Sequence, residues 1–244
     1  MSIDRRRSFI LAHAEACQAA AAQHYPLPAL PPGMDFSGLD LSDTDIRYIN
    51  LKGAKLRGVQ LVGAILHEAD LRGADLRDAD LSYAEMAGAL LQGARLQKAT
   101  LTETDLYEAD AEGAVFDGAV ANQATFVNGN FQGASFVGTQ LQGADLAGAD
   151  FLSGVTFRGA NLEGASLESA LLAGANLGGA KLTDASLENA DLSGADLREA
   201  NLKDAILIEA DLTDADLTGA DIAGAELSGA KGLPRQNSRS RRSR

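Results

Sequence analysis

From Phe36 onward a large apolar residue recurs at every fifth position. The series runs Phe36, Leu41, Ile46, Leu51, Leu56 and on without a gap to Phe151. One extra residue intervenes, and the series resumes at Phe157 and runs to Leu227. Of these 39 centres, 37 are Leu, Phe, Ile or Met, and the exceptions are Ala111 and Ala121. Ala stands two residues before the centre in 30 of the 39 units and Gly two residues after it in 21, so the unit reads Ala-(Asp/Asn)-Leu-x-Gly. An α-helix turns about 100° per residue, so a five-residue period would spiral the centres around its whole surface. An extended strand would send successive centres to opposite faces. A chain that turns a corner every five residues keeps all centres in one interior, and Gly at the corner tolerates the positive φ that such a turn needs.

The motif Ala-(Asp/Asn)-Leu-x-Gly, as in Ala190-Asp191-Leu192-Ser193-Gly194, spans residues 34–230, roughly 80% of the chain. It resembles the pentapeptide-repeat proteins, in particular the repeat domain of the bacterial quinolone-resistance members. The resemblance implies an all-β solenoid: a right-handed quadrilateral β-helix with four pentapeptides per coil, in which the centre and the Ala before it point inward. Thirty-nine units then make about ten coils, and at a strand spacing of about 4.8 Å the rod is roughly 45–50 Å long. Residues twenty apart should stack, which sets Phe116 over Phe136 and Phe131 over Phe151. The coil that holds Phe116, Phe126 and Phe131 also holds Ala121, a compensation of volume that a close-packed interior requires. The extra residue in Leu152-Ser153-Gly154-Val155 reads as a local bulge.

A solenoid needs caps at its apolar ends. Residues 3–22 predict a short helix with Phe9, Ile10, Ala14, Cys17 and Ala21 on one stripe. The first coil carries Met34, Leu39, Thr44 and Ile49 where later coils carry Ala, which implies a wider end packed by that helix. The chain thus divides into an N-terminal capping helix (1–25), a Pro-rich linker (26–33), the β-helix (34–230) and a basic, disordered tail (231–244). No segment after residue 230 has the pattern of a second capping helix, so association, if it occurs, is expected at the open C-terminal coil; oligomeric state stays open.

Composition narrows the function. Apolar residues are 45% of the chain, but Trp is absent and aromatics are 5%, in keeping with a narrow interior of Ala and Leu. A single cysteine excludes a disulfide framework and any multi-cysteine zinc site. No apolar run approaches the roughly 18 residues of a membrane span. Arg5, Arg6 and Arg7 precede a stretch broken by His13, Glu15 and Gln18, a poor secretion signal, and the expected compartment is the cytoplasm. His13 and Cys17 lie four apart on the predicted helix, as a thiol–imidazole pair would, but no third group accompanies them. His67, beside Glu68, reads as a solvated side chain. Carboxylates on a convex rod lack the desolvation that tunes a catalytic acid. The expectation is a non-enzyme without catalytic residues, metal, cofactor or small-molecule substrate.

Charge carries more information. Residues 36–230 hold 31 acids and 12 bases, whereas residues 231–244 hold six bases and no acid. Units twenty apart share a face, with a step of 21 across the bulge. The face centred on Ile46, Leu66 and their successors carries one base and ten acids: Asp45, Glu68, Glu85, Asp105, Glu108, Asp145, Glu168, Glu188, Glu209 and Glu226. The face centred on Phe36 and its successors carries seven acids and seven bases. The ten acids form the candidate partner-binding face of a non-enzymatic protein-interaction scaffold. One alternative is that the rod mimics DNA and binds or protects a type II topoisomerase such as gyrase, as the resemblance to the quinolone-resistance proteins implies, although this chain lacks their C-terminal dimerising helix. Another is a solubilised spacer whose Arg-rich tail touches nucleic acid or an anionic surface; for the rod itself nucleic-acid binding is not expected.

Overall fold

A computed structural model describes residues 2–31 and 34–233; most of the predicted basic tail, residues 234–244, lies outside them. The residue before each centre forms a parallel bridge with the residue twenty positions on, as in Asp35 with Lys55, Asp40 with Gln60, Asp45 with Ile65 and Asn50 with Asp70. Twenty residues are four pentapeptides, so the chain closes one coil of a β-helix solenoid every four units. The bridges stay isolated because a corner follows each one. Hydrogen bonds between coils run both ways. The centre's N–H donates to the carbonyl nineteen residues on (Phe36 N to Lys55 O, 2.8 Å), and the bridge residue donates back to the coil before (Gln60 N to Leu39 O, 2.8 Å). Each corner is closed by the next unit's small residue, as Ala54 N donates to Leu51 O at 2.9 Å.

The residue two after the centre sits in the left-handed region at every corner, which explains the Gly preference. Where Gly is absent the position still has that φ, at 54° in Glu68, 57° in Asn128 and 61° in Tyr48. The Asp/Asn preference before the centre has a local cause as well. The side-chain oxygen accepts the N–H two residues on, as in Asp35 to Ser37 (2.9 Å), Asp145 to Ala147 (3.0 Å) and Asn161 to Glu163 (3.3 Å). This is the Asx turn, which pre-bends the backbone into the corner. A Glu side chain is one methylene too long to take its place.

The interior is a column of centres and small residues with almost no exposure. The predicted ring stacks are present: Phe116 on Phe136 at 4.7 Å and Phe131 on Phe151 at 5.5 Å, with Phe157 continuing from Phe136 at 4.8 Å. Compensation extends beyond Ala121. Gly129 occupies a small-residue position, and a Cβ there would collide with the ring of Phe131. Thr104 and Thr139 replace buried Ala, and each hydroxyl donates to a carbonyl, Leu81 O at 2.8 Å and Phe116 O at 2.9 Å. The extra residue at 152–155 shifts the bridge step from 20 to 21 (Ser135 with Thr156), after which the step returns to 20 at Thr156 with Asn176. Val155 takes the inward position there, fully buried.

Helix α1 (Ile3–Ala22) opens at an N-cap, Ser2, whose side chain accepts from Arg5 N, and buries Ile10, Ala14 and Cys17 against the first coil. Phe9 stacks on Phe36 at 6.3 Å, and Leu39 and Ile49 fill the wider end. The first coil has no predecessor to donate to the carbonyls of its bridge residues, and four helix side chains do so instead. Arg6 Nη1 reaches Asp35 O (3.1 Å), Arg7 Nε reaches Asp40 O (2.9 Å), Gln18 Nε2 reaches Asp45 O (3.1 Å) and His13 Nε2 lies 3.0 Å from Asn50 O. One bridge-residue carbonyl on each of the four faces thereby gains a donor at that edge. His13 must carry its proton on Nε2 to donate to Asn50. Cys17 Sγ lies 3.7 Å from the same nitrogen, and burial raises its thiol pKa, the opposite of an activated nucleophile.

Candidate functional site: the acidic face

The bridge register brings all ten candidate acids to one face. Asp45, Glu85, Asp105, Asp145 and Glu226 belong to a single ladder, Asp45–Ile65–Glu85–Asp105–Thr125–Asp145–Ser166–Ser186–Ile206–Glu226. Glu85 and Asp105 are direct neighbours in it, one coil apart. Glu68, Glu108 and Glu209 sit at the corner positions of the same face, and Glu168 and Glu188 at the positions just before the corner.

Residue type separates these acids into two kinds. Asp45, Asp105 and Asp145 close Asx turns onto Arg47, Tyr107 and Ala147. The other seven are Glu, and no turn chemistry accounts for them. The chain has twelve Glu in all, so more than half of them fall on one of four faces. The Phe36 face shows the contrasting arrangement, with six Asp and one Glu against seven bases. There the charges pair: Arg77 with Asp75, Arg57 with Asp78, and Arg198 with Asp196 and Asp216. The Arg198 hydrogen bonds hold the Asp196 carboxyl at a pKa of about 2.

The acidic face has one cation, Arg47, and one histidine, His67, and both are engaged. Arg47 bonds Asp45 at 2.8 Å and keeps that carboxyl below its ordinary range. His67 meets Glu85 at 2.9 Å rather than standing free in solvent as its position beside Glu68 implied. Glu85 is one bridge step from Ile65, so the register and not sequence adjacency chooses the partner. Glu68, Glu108, Glu188, Glu209 and Glu226 have no ion pair among the described residues, and Glu168 accepts a hydrogen bond from Ser186 at 3.0 Å.

Near α1 this face is concave. The helix end and following linker overhang it, and a groove of about 600 Å³ lies between Gln18, Ala21, Ala22, His24 and Leu27 on one side and Tyr48, Glu68, Gly88 and Leu90 on the other. A second cleft shares Tyr48, Glu68 and Gly88 and continues along the face to Tyr107 and Glu108. Nothing in the five-residue pattern foretells the overhang, because it depends on where residues 23–31 run. Among the described residues no group of three or more His, Cys, Asp or Glu is arranged to hold a metal ion, and no helix is long and apolar enough to cross a membrane.

Comparison with curated proteins gives no match. Among solved structures, the chain is similar to HetL, a pentapeptide repeat protein involved in heterocyst differentiation regulation from the cyanobacterium Nostoc sp. strain PCC 7120. The identity is 32%, covering 87% of this chain and 94% of that one, with a TM-score of 0.44. It is also similar to full-length QnrB1, a plasmid-mediated fluoroquinolone resistance protein, at 24% identity over 81% of this chain and 92% of that one, TM-score 0.43. A pentapeptide repeat protein of the Arabidopsis thaliana thylakoid lumen matches 46% of this chain and 65% of its own at 34% identity, TM-score 0.26. Eight copies of the pentapeptide repeats family model match, within residues 35–82, 84–151 and 152–231. With that repeat running along nearly all of the coil, and its turns and interior formed as the repeat demands, the chain belongs to the pentapeptide repeat family.

Proposed function

We propose that this protein is a non-enzymatic interaction scaffold whose Glu-rich face receives a basic surface of a partner protein. The observation that carries the reading is the segregation of Glu. Asp before a centre closes an Asx turn on every face, whereas Glu closes none and is concentrated on the Ile46 face, with its charges largely unpaired. A solubilising surplus would be spread over four faces. From its likeness to the pentapeptide repeat family the rod is inferred to wind right-handed through about ten coils, which makes the face a strip roughly 45–50 Å long. The test compares the native chain with a variant carrying Lys at Glu108, Glu168, Glu188 and Glu209. Those positions leave every Asx turn intact, whereas reversing Asp105 or Asp145 would also unmake a corner. Proteins retained by the immobilised native chain and lost from the variant support the reading; identical retention by both sinks it.

A more specific form of this reading is mimicry of DNA toward a type II topoisomerase. The uninterrupted Glu85–Asp105 step and the length of the strip favour it. Supercoiling by purified gyrase, with and without a fluoroquinolone, should then respond to the native chain and not to the four-Lys variant. No response at tens of micromolar removes gyrase while leaving the scaffold reading in place.

A further inference from the structure

We infer that the overhung groove at the α1 end of the acidic face is a docking site for an extended, arginine-bearing segment of a partner protein. The inference rests on the scaffold reading and names where on the face, and to what chemistry, binding is most specific.

Four observations converge on this groove. First, it is amphipathic along its length. Ala21, Ala22, Leu27 and Leu90 make its end beneath the helix apolar, and Tyr48, Glu68, Tyr107 and Glu108 line the rest together with Arg47 and His67. Leu90 stands in a ladder whose neighbours are Asp70 and Asp110, so an apolar residue there departs from the local pattern. Second, tyrosine is scarce. The chain has four, and two of them, Tyr48 and Tyr107, border this groove. Third, the floor is hollow. The corner ladder reads Tyr48, Glu68, Gly88, Glu108, and Ala87 precedes Gly88. A side chain at Gly88 would start 3.4 Å from Glu68 Cγ, so the glycine leaves the surface beside that side chain open. Fourth, the resident basic side chains are occupied: Arg47 pairs with Asp45, and the His67 ring meets Glu85 at 2.9 Å, while Glu68 and Glu108 have no ion-pair partner among the described residues.

Glu68 and Glu108 are two coils apart, or about 9–10 Å at the usual strand spacing. A guanidinium entering at Gly88 can therefore approach either carboxylate while its flat face lies on a tyrosine ring. Arginine suits this better than lysine, because its planar fork makes paired hydrogen bonds to carboxylates and stacks on aromatics. From Tyr48 to Glu108 the groove covers three coil steps, about 14 Å at the usual strand spacing. A stretch of four or five extended residues spans that, with an apolar residue under Leu27 and the arginine over Gly88. The length and open ends suit a peptide segment better than an enclosed small molecule.

The test titrates full-length protein into a fluorescein-labelled synthetic peptide, Leu-Gly-Arg-Gly-Arg-Gly, and follows anisotropy at low and at physiological salt. A matched peptide with citrulline for arginine keeps the shape and removes the charge. Three variants are compared with the native chain. Glu68→Gln with Glu108→Gln removes the two carboxylates. Ala87→Arg places a resident cation in the hollow, at a position type that already carries Arg in Arg72 and Arg77. Glu168→Gln with Glu188→Gln neutralises the same face beyond the groove. The expected result is weakening of about tenfold or more by the first two, as for charge-assisted pairs, a change within about twofold by the third, as for exposed screened charges, and no binding of the citrulline peptide. Melting curves matching the native chain confirm that each variant folds. Equal weakening by all three variants, or equal binding of the two peptides, overturns the groove. Loss confined to the Glu168/Glu188 variant overturns it too, but leaves the scaffold reading standing. Failure of the native chain to bind the peptide even at low salt also overturns the proposal, while the comparison of retained partners decides the scaffold reading separately.

Discussion

The two ends of the rod are built from the same unit and finished differently. At the first coil, Phe36, Leu39, Leu41, Ile46, Ile49 and Leu51 are all fully buried. Helix α1 covers them, and its Arg6, Arg7, His13 and Gln18 take the four bridge-residue carbonyls that the centres of a preceding coil would have bonded. At the last coil, Leu217 and Leu227 are half-buried and Ile222 is 36% exposed. The N–H groups of Leu217, Ile222 and Leu227, which in earlier coils donate to the coil that follows, have no partner among the described residues. The difference teaches that the repeat stabilises a coil only through its neighbours. An end must borrow both apolar cover and hydrogen-bond partners from outside the pattern, and at the N-terminal end a single helix supplies both.

The strongest way to break this comparison is a matched pair of truncations. Ile10→Ala, on the buried side of the helix, should cost about 2–5 kcal/mol, the range for emptying a packed site, whereas Ile222→Ala in the last described coil should cost less than about 1 kcal/mol because little apolar surface is lost from cover. Chemical denaturation of both variants checks this, and equal costs would mean that the last coil is covered after all. Gly129→Ala, midway along the rod, should cost about 1–3 kcal/mol by overpacking against Phe131. It calibrates what a coil with neighbours on both sides tolerates, and a melting temperature unchanged from native would contradict the contact. Arg7→Ala should lose about 0.5–1.5 kcal/mol, because the Asp40 carbonyl keeps access to water once its partner is gone. An effect as large as that of Ile10→Ala would show hydrogen bonding, not apolar cover, to be the main work of the cap.

The smallest expected effect concerns pH. Asp196, toward the C-terminal end of the coil, has its carboxyl lowered from 3.8 to about 2 by Arg198. A lowered folded-state value stabilises the protein above the unfolded value and is lost as pH falls through the folded one. Its contribution is therefore complete above about pH 4 and disappears toward pH 2. Asp196→Asn keeps an oxygen for the corner while removing the charge. It should flatten the loss of stability over that interval and leave stability near neutrality slightly lower. An acid-unfolding curve superimposable on the native one would show that the pair contributes nothing measurable.

How far each feature was legible follows from how local its cause is. The corner residues, the inward Leu and Ala, the Phe stacks and the shift at 152–155 all follow from a period of five with four units per coil. So does the gathering of ten acids on one face, because a register of twenty is arithmetic once the coil closes. The engagement of His67 was not legible. Its partner Glu85 lies eighteen residues away, and which neighbour a ring meets depends on side-chain direction across the coil. The groove was not legible either, since its roof comes from residues outside the repeat.

By itself, then, the sequence determined the coil, its interior and the sidedness of its charge, because each unit repeats a short-range instruction that stacking copies from coil to coil. Only the tertiary structure decided which carboxylates stay open, which carbonyls of the first coil find donors, and where a convex rod becomes concave. Those outcomes join α1 and the linker to residues about 20 to 70 positions away. No periodicity connects such residues; they meet because the helix must cover the first coil's apolar face and, in reaching across it, overhangs the side where Tyr48, Glu68 and Leu90 lie.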